Sequence, residues 1–223
     1  MDGYLLIDKP VGWTSHDVVA KIRGLIKQQL GIKKPKVGHA GTLDPFATGL
    51  LIILVGKYTK RANEFLKLNK SYEFRAKLGE ISTTGDLEGE IKTFSNNTPT
   101  LTEMRDVLSS FLGEVEQIPP TFSAIKVNGQ RAYKLARKGN KVEMPKRLIN
   151  IYELKLIKYE YPYLSCICSV SSGTYIRTLA EDIGKSLKTG AYLTNLKRIS
   201  IGEFSLKMAH KIEENNLLDN LLV

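Results

Sequence analysis

The chain has 223 residues, 42% apolar and 25% charged, enough to bury a sizeable core in one large domain or two small ones. Lysine and arginine number 33 against 23 acidic residues; the net charge of +10 fits a polyanionic partner, though an unrelated basic protein fits it as well. The longest apolar run, Leu50 to Val55, is too short to span a bilayer and MDGYLLIDKP is no secretion signal, so a cytoplasmic protein with no membrane partner is expected.

Leu5-Leu6-Ile7 reads as a short buried strand, broken by Lys9-Pro10-Val11-Gly12. Ser15 is placed to cap a helix with Val18, Val19, Ile22, Leu25, Ile26 and Leu30 on one face, closed by Gly31. The basic stretch Lys33-Lys34-Pro35-Lys36 leads into a glycine-rich segment, Gly38 to Gly49. Leu50 to Val55 then reads as a buried strand and Lys57 to Leu68 as an amphipathic helix. Tyr72, Phe74, Ala76 and Leu78 alternate with polar residues, the period of a half-buried strand.

Gly85 to Gly89 marks a turn and Asn96 to Pro99 a loop. Leu101 to Leu112 has helical spacing, with Thr100 and Glu103 set as a capping box. Asn128-Gly129 signals a hairpin between Ile125-Lys126-Val127 and Arg131-Ala132-Tyr133. Strands are expected at Asn150 to Tyr159 and Tyr163 to Val170, and Ser171 to Thr174 should open a helix running to about Leu187. This mixture favours an α+β architecture with a mixed, largely antiparallel sheet over a doubly wound parallel one. The tail, residues 211–223, has no obvious domain of its own.

Cys166 and Cys168 would face the same side of a strand, and no second cysteine pair completes a zinc site; small core residues of a reduced protein fit them better. No Walker A loop, GxGxxG, GxSxG or HExxH is present, and His16, His39 and His210 are too scattered for a metal site. Chemistry without a metal or cofactor is the starting expectation.

The segment GHAGTLDPFATG, Gly38 to Gly49, holds an acid and a histidine among glycines that permit close backbone approach to a ligand. Asp44 is the only acid between Asp17 and Glu64. A carboxylate in cationic surroundings stays ionised and can act as a nucleophile or stabilise charge. On local spacing alone, however, Asp44-Pro45 reads more readily as a helix N-cap with proline at the first helical position.

This string resembles the signature of the TruB family of tRNA pseudouridine synthases, whose catalytic aspartate lies in a GxLDPxATG-like loop. Further segments resemble the family's motifs in the family's order: Asp8-Lys9-Pro10 with Gly12 to Ser15; Lys70-Ser71-Tyr72; Gly85 to Gly89; Pro119-Pro120 with Ser123-Ala124; Gly173 to Arg177; and Leu193 to Gly202. The resemblance covers about Leu5 to Phe204 and implies a pseudouridine synthase fold, an α+β catalytic domain over residues 1–210 followed by a short tail over 211–223. Members typically carry a C-terminal RNA-binding domain of the PUA type; its apparent lack implies recognition mainly through the T arm of tRNA.

The implied activity is isomerisation of uridine 55 in the tRNA T loop, after base flipping, with no cofactor. The resemblance makes Asp44 the catalytic carboxylate, Tyr72 the ring packed on the flipped base and Arg177 its countercharge. His39, Tyr175, Leu196 and Lys9 fall with the substrate-binding group, although Lys9 and Pro10 are expected to support the loop rather than act chemically. Without the resemblance, Tyr72 reads as a sheet residue, Arg177 as a surface charge, His39 as a loop residue and Leu196 as core. Asp86 is expected outside direct contact with substrate. Lys33 to Lys36, Lys57 to Arg61, Arg131 to Lys141 and Lys146-Arg147 are candidate phosphate contacts. A monomer needing no guide RNA is expected; the alternative is a non-catalytic tRNA-binding or tRNA-folding protein on the same scaffold, which would not need the Asp44, Tyr72 and Arg177 trio.

Overall fold

The computed structural model describes the chain except Ala124, Asn128, residues 138–141 and Asn215. In chain order it forms β1 (Gly3–Lys9), α1 (Ser15–Leu30), β2 (Val37–His39), β3 (Thr48–Val55), α2 (Ala62–Leu66), β4 (Lys70–Leu78), β5 (Glu80–Ser82), β6 (Ile91–Thr93), α3 (Leu101–Ser110) and β7 (Gly113–Gln117). There follow β8 (Lys126–Val127), β9 (Gln130–Arg131), α4 (Ala132–Arg137), β10 (Arg147–Glu160), β11 (Tyr163–Val170), α5 (Ile176–Ser186), β12 (Ala191–Ile201), β13 (Phe204–Ser205) and β14 (His210–Lys211). The chain divides into two compact units, one of Met1–Glu73 with Leu196–Val223 and one of Phe74–Asn195. Among the described residues no helix is long and apolar enough to cross a membrane.

In the first unit β3 is central: β1 pairs with it antiparallel, β2 pairs antiparallel with its second half, and β12 pairs parallel at Thr48 and Gly49. Its period of two sorts its apolar run onto two faces. Leu51, Ile53 and Val55 pack with Val18, Val19, Ile22 and Ile26 of α1, while Leu50, Ile52 and Leu54 pack with Phe65 and Ile201. Each buried aliphatic side chain on α1 contributes about 1.5–3 kcal/mol. Leu30, expected on that face, is exposed at the helix end.

Helix α1 starts one residue away from its expected cap. Thr14 is the N-cap, in a reciprocal capping box with Asp17, and Gly31 closes the helix in the left-handed conformation. Ser15 is the first helical residue and its hydroxyl is used elsewhere. The segment 57–68 is also not one helix: a 3-10 turn over Gly56–Arg61 precedes the five-residue α2. Tertiary packing decides this, since the turn sets Tyr58 and Phe65 against Tyr4, at ring-centroid distances of 5.8 and 5.5 Å. The tail joins the same unit, with β14 parallel to β1 and with Leu217 and Leu218 in the core.

The second unit orders its longer strands β4-β11-β10-β7. β10 and β11 pair antiparallel, as do β10 and β7. The alternation in β4 puts Phe74, Ala76 and Leu78 inside, and β11 does the same with Leu164, Cys166, Cys168 and Val170. Burial pushes the Cys166 thiol up to about 12, as befits an inert core residue. Helix α3 carries the expected capping box between Thr100 and Glu103. The expected hairpin falls partly on Asn128, outside the described residues, as do Ala124 of the Ser123-Ala124 motif and residues 138–141 of the basic segment. On either side of Asn128, β8 and β9 pair antiparallel. Parallel pairs among antiparallel ones, with helices flanking, make this the mixed α+β fold.

Candidate active site

Seven residues were singled out for the site. Lys9, His39, Asp44, Tyr72 and Leu196 lie in the first unit, Tyr175 and Arg177 in the second.

Asp44 sits on the loop joining β2 to β3, and no helix begins there: the Ala47 amide donates to the Asp44 carbonyl at 3.1 Å, closing a turn. Proline after Asp44 presets the backbone for such a turn, and with β3 starting at Thr48 there is no length for a helix. The N-cap reading of Asp44 is therefore replaced by a turn. The loop is held from three directions. Ser15 Oγ donates to the Leu43 carbonyl at 3.1 Å and accepts from the Leu43 amide at 2.8 Å. The Pro45 carbonyl accepts from the Gly12 amide at 2.8 Å and from Lys9 Nζ at 3.3 Å. Arg198 reaches it from β12, donating through Nη2 to Gly41 and through Nη1 to Thr42, at 3.1 and 3.4 Å.

Lys9 is 0% exposed, and its ammonium also donates to the carbonyls of Pro10 and Trp13. Through the Pro45 carbonyl the Lys9 ammonium is bonded directly to the loop that carries Asp44. Burial drives its pKa down to about 8; neighbouring Asp44 opposes the fall and Arg198 adds to it. Lys70 is a second buried ammonium, donating to the Leu66 and Leu68 carbonyls, and burial with Arg198 nearby brings it to about 8 as well. Three buried cations thus lie in the unit that carries the half-buried Asp44. Of these, Lys9 is coupled electrostatically to Asp44.

Tyr72 is buried on β4, Leu196 is buried on β12, and His39 is half-buried at the end of β2. Among the described residues no group of three or more His, Cys, Asp or Glu side chains is placed to hold a metal ion.

In the second unit Arg177, in the first turn of α5, is buried rather than a surface charge. Its Nη1 donates to Asp86 Oδ2 at 3.2 Å and to the Thr84 carbonyl at 2.8 Å, and its Nη2 to the Phe122 carbonyl at 2.9 Å. Asp86 Oδ1 accepts from Thr84 Oγ1 and from the Glu88 amide, so the GDLEG turn is built around this carboxylate. Glu181, one turn further along α5, lies against Gly85: a Cβ on Gly85 would stand 2.4 Å from Glu181 Oε1, and its φ of +74° also favours glycine. Burial, with Asp182 close by, raises the Glu181 pKa to about 7. Helix α5 starts at Ile176, later than the expected Ser171 to Thr174. Gln117 accounts for this by donating to the Tyr175 carbonyl at 3.0 Å and accepting from its amide at 2.8 Å. The ring of Tyr175 packs on Ile125, Ala132 and Met144.

A family model described as "TruB family pseudouridylate synthase (N terminal domain)" matches residues 27–176, from the end of α1 to the start of α5. The chain belongs to the TruB family. Relatives within it include the tRNA pseudouridine synthase B of Parabacteroides distasonis, 47% identical over 94% of this chain and 90% of that protein. That of Clostridium kluyveri is 45% identical over 92% of this chain and 69% of its own length. Among solved structures, a chain from a Cbf5-Nop10-Gar1 complex superposes with a TM-score of 0.69 at 27% identity, covering 94% of this chain; this chain spans about half, 52%, of that one. Within the first unit, Lys9, Gly12 and Ser15 of the first TruB-like motif and Arg198 of the last bond to the Gly38 to Gly49 loop that carries Asp44.

Sequence reasoning missed three groups. Arg198 lay inside a quoted motif without being singled out, because a long charged side chain gives no local sign of burial. Gln117 precedes Ile118-Pro119-Pro120 and carried no signal. Asp86 was expected in a turn and outside direct contact with substrate; its pairing with Arg177 was missed because it needs contacts 91 residues apart in sequence.

Proposed function

We propose that this protein is a tRNA pseudouridine synthase acting on uridine 55 of the T loop, with Asp44 as the reacting carboxylate. The observation that carries the reading is the placement of Asp44: a partly exposed acid on a loop that Ser15, Lys9 and Arg198 hold still, beside buried cations. The names of relatives 45–47% identical across nearly the whole chain support tRNA as substrate.

The reaction is an isomerisation. The N1–C1′ bond of the uridine breaks, the uracil turns, and a C5–C1′ bond forms; C5 loses its proton and N1 gains one. It needs the base outside its stack, so the nucleotide is flipped first. Asp44 drives glycosidic cleavage from a fixed geometry. Tyr72 packs on the flipped base, with Leu196 lining the apolar side of the pocket. In the role the family resemblance implies, Arg177, held by Asp86, Thr84 and Phe122, is the countercharge, and His39 and Tyr175 contact RNA near the target nucleotide. Exposed Lys33, Lys34, Lys36, Lys57 and Lys60 are candidates for the phosphate backbone. The protein works as a monomer in the cytoplasm and needs no guide RNA.

The test incubates unmodified tRNA, with no other RNA added, with wild type and with Asp44→Asn, and maps pseudouridine chemically. Product at position 55 from wild type alone is expected. No wild-type product would sink the function, and ample product from Asp44→Asn would remove Asp44 from its role. In parallel, log affinity for tRNA should fall linearly with log salt.

A further inference from the structure

The geometry points to Arg198 as the positioning residue that sets where the Asp44 carboxylate stands. This rests on the reading of Asp44 as the reacting group. Arg198 is 2% exposed on β12. A guanidinium taken out of water needs its donors satisfied, and here all three acceptors are neutral backbone carbonyls. Nη2 and Nη1 reach Gly41 and Thr42, which run directly into Asp44. Nε reaches Leu50, on the strand that leaves the loop, at 2.7 Å. One rigid planar group therefore ties the incoming limb to the outgoing limb.

The main chain of the same residue completes the clamp. Arg198 lies opposite Gly49 in the parallel ladder, so close that a Cβ on Gly49, whose φ is +101°, would come within 2.3 Å of the Arg198 carbonyl oxygen. Both ends of the eight-residue segment Thr42 to Gly49 are thus referred to a single residue of β12. An apolar side chain of similar volume would fill the space but supply no donor to any of the three carbonyls. A lysine would keep the charge without the fixed fork that spans two limbs. The role is one of orientation, and the positive charge beneath the loop accompanies it.

The test measures single-turnover pseudouridine formation on unmodified tRNA at saturating enzyme, with tRNA Kd and thermal midpoint, for wild type, Arg198→Lys and Arg198→Met. Expected are Kd values within about twofold of wild type and a rate constant about 10- to 100-fold lower for Arg198→Lys, lower again for Arg198→Met. A role in stability alone would lower the thermal midpoint but leave folded molecules turning over at the wild-type rate constant, and that result overturns the assignment. Should Arg198→Met be recovered unfolded, Arg198→Lys carries the same readout. A wild-type protein that makes no product would remove the underlying function, a result visible before any variant is compared.

Discussion

Ser15 and Leu43, 28 residues apart, exchange two hydrogen bonds through one hydroxyl: the Leu43 amide donates to Ser15 Oγ, which donates back to the Leu43 carbonyl. The first turn of α1 is in this way fastened to the residue before Asp44. Ser15→Ala leaves a buried amide and carbonyl without their partner, at a cost of about 1–3 kcal/mol. Urea denaturation should show that loss, and turnover on tRNA should fall roughly tenfold with the loop loosened. Unaltered turnover would show that the latch does not govern the loop.

The buried ion pair between Arg177 and Asp86 makes a second prediction. With the two side chains 6% and 3% exposed, neutralising Asp86 removes a charge bonded to Arg177 in the interior. Asp86→Asn keeps the shape of the turn and should destabilise the protein by about 2–4 kcal/mol in urea. A midpoint equal to that of wild type would mean the pair contributes nothing net.

Lys70 gives a pH dependence with a definite sign. Its pKa falls from 10.5 unfolded to about 8 folded, mainly through burial. Below pH 8 both states carry the proton and the full burial cost is present. Between 8 and 10.5 the unfolded chain binds more protons, so stability rises with pH there. Relative to Lys70→Met, wild type should gain roughly 1–3 kcal/mol across that window. A difference curve flat from pH 7.5 to 10.5 counts against the assignment.

Glu181 should behave as a raised acid. Its carboxyl titrates near 7 when folded, above the ordinary 4.5, because burial and then Asp182 disfavour the charge. Below 4.5 both states are protonated and nothing is lost. Between 4.5 and 7 the folded state binds more protons and stability falls as pH rises, with the full cost present above 7. Glu181→Gln should therefore stabilise the protein at pH 8 by about 1–2 kcal/mol, after allowance for partial solvent screening, and leave it unchanged near pH 4. Thermal midpoints at the two pH values check this.

Local chemistry was legible along the chain. A continuous apolar run identified β3, alternation identified β4, apolar spacing identified α1, and Thr100 with Glu103 identified the start of α3, because each signal lies within a few residues. The motifs around Lys9, Asp44, Tyr72 and Arg177 pointed to a TruB-like enzyme, and those around Lys9 and Asp44 proved to be mutually bonded. Local rules failed where a distant partner took over: Asp44-Pro45 forms a turn instead of a helix cap, Thr14 rather than Ser15 caps α1, and Tyr58 with Phe65 breaks the expected helix over Lys57 to Leu68.

The sequence by itself determined most of the strands and helices, since periodicity is a property of neighbouring residues, and its resemblance to the TruB family, rather than local spacing, marked Asp44 as the candidate catalytic acid. Only the tertiary structure decided that Lys9 and Arg198 are buried beneath the loop, that Ser15 latches Leu43, and that Arg177 meets Asp86. Those pairings span 28 to 157 residues, and whether a charged side chain is buried depends on what the fold brings over it.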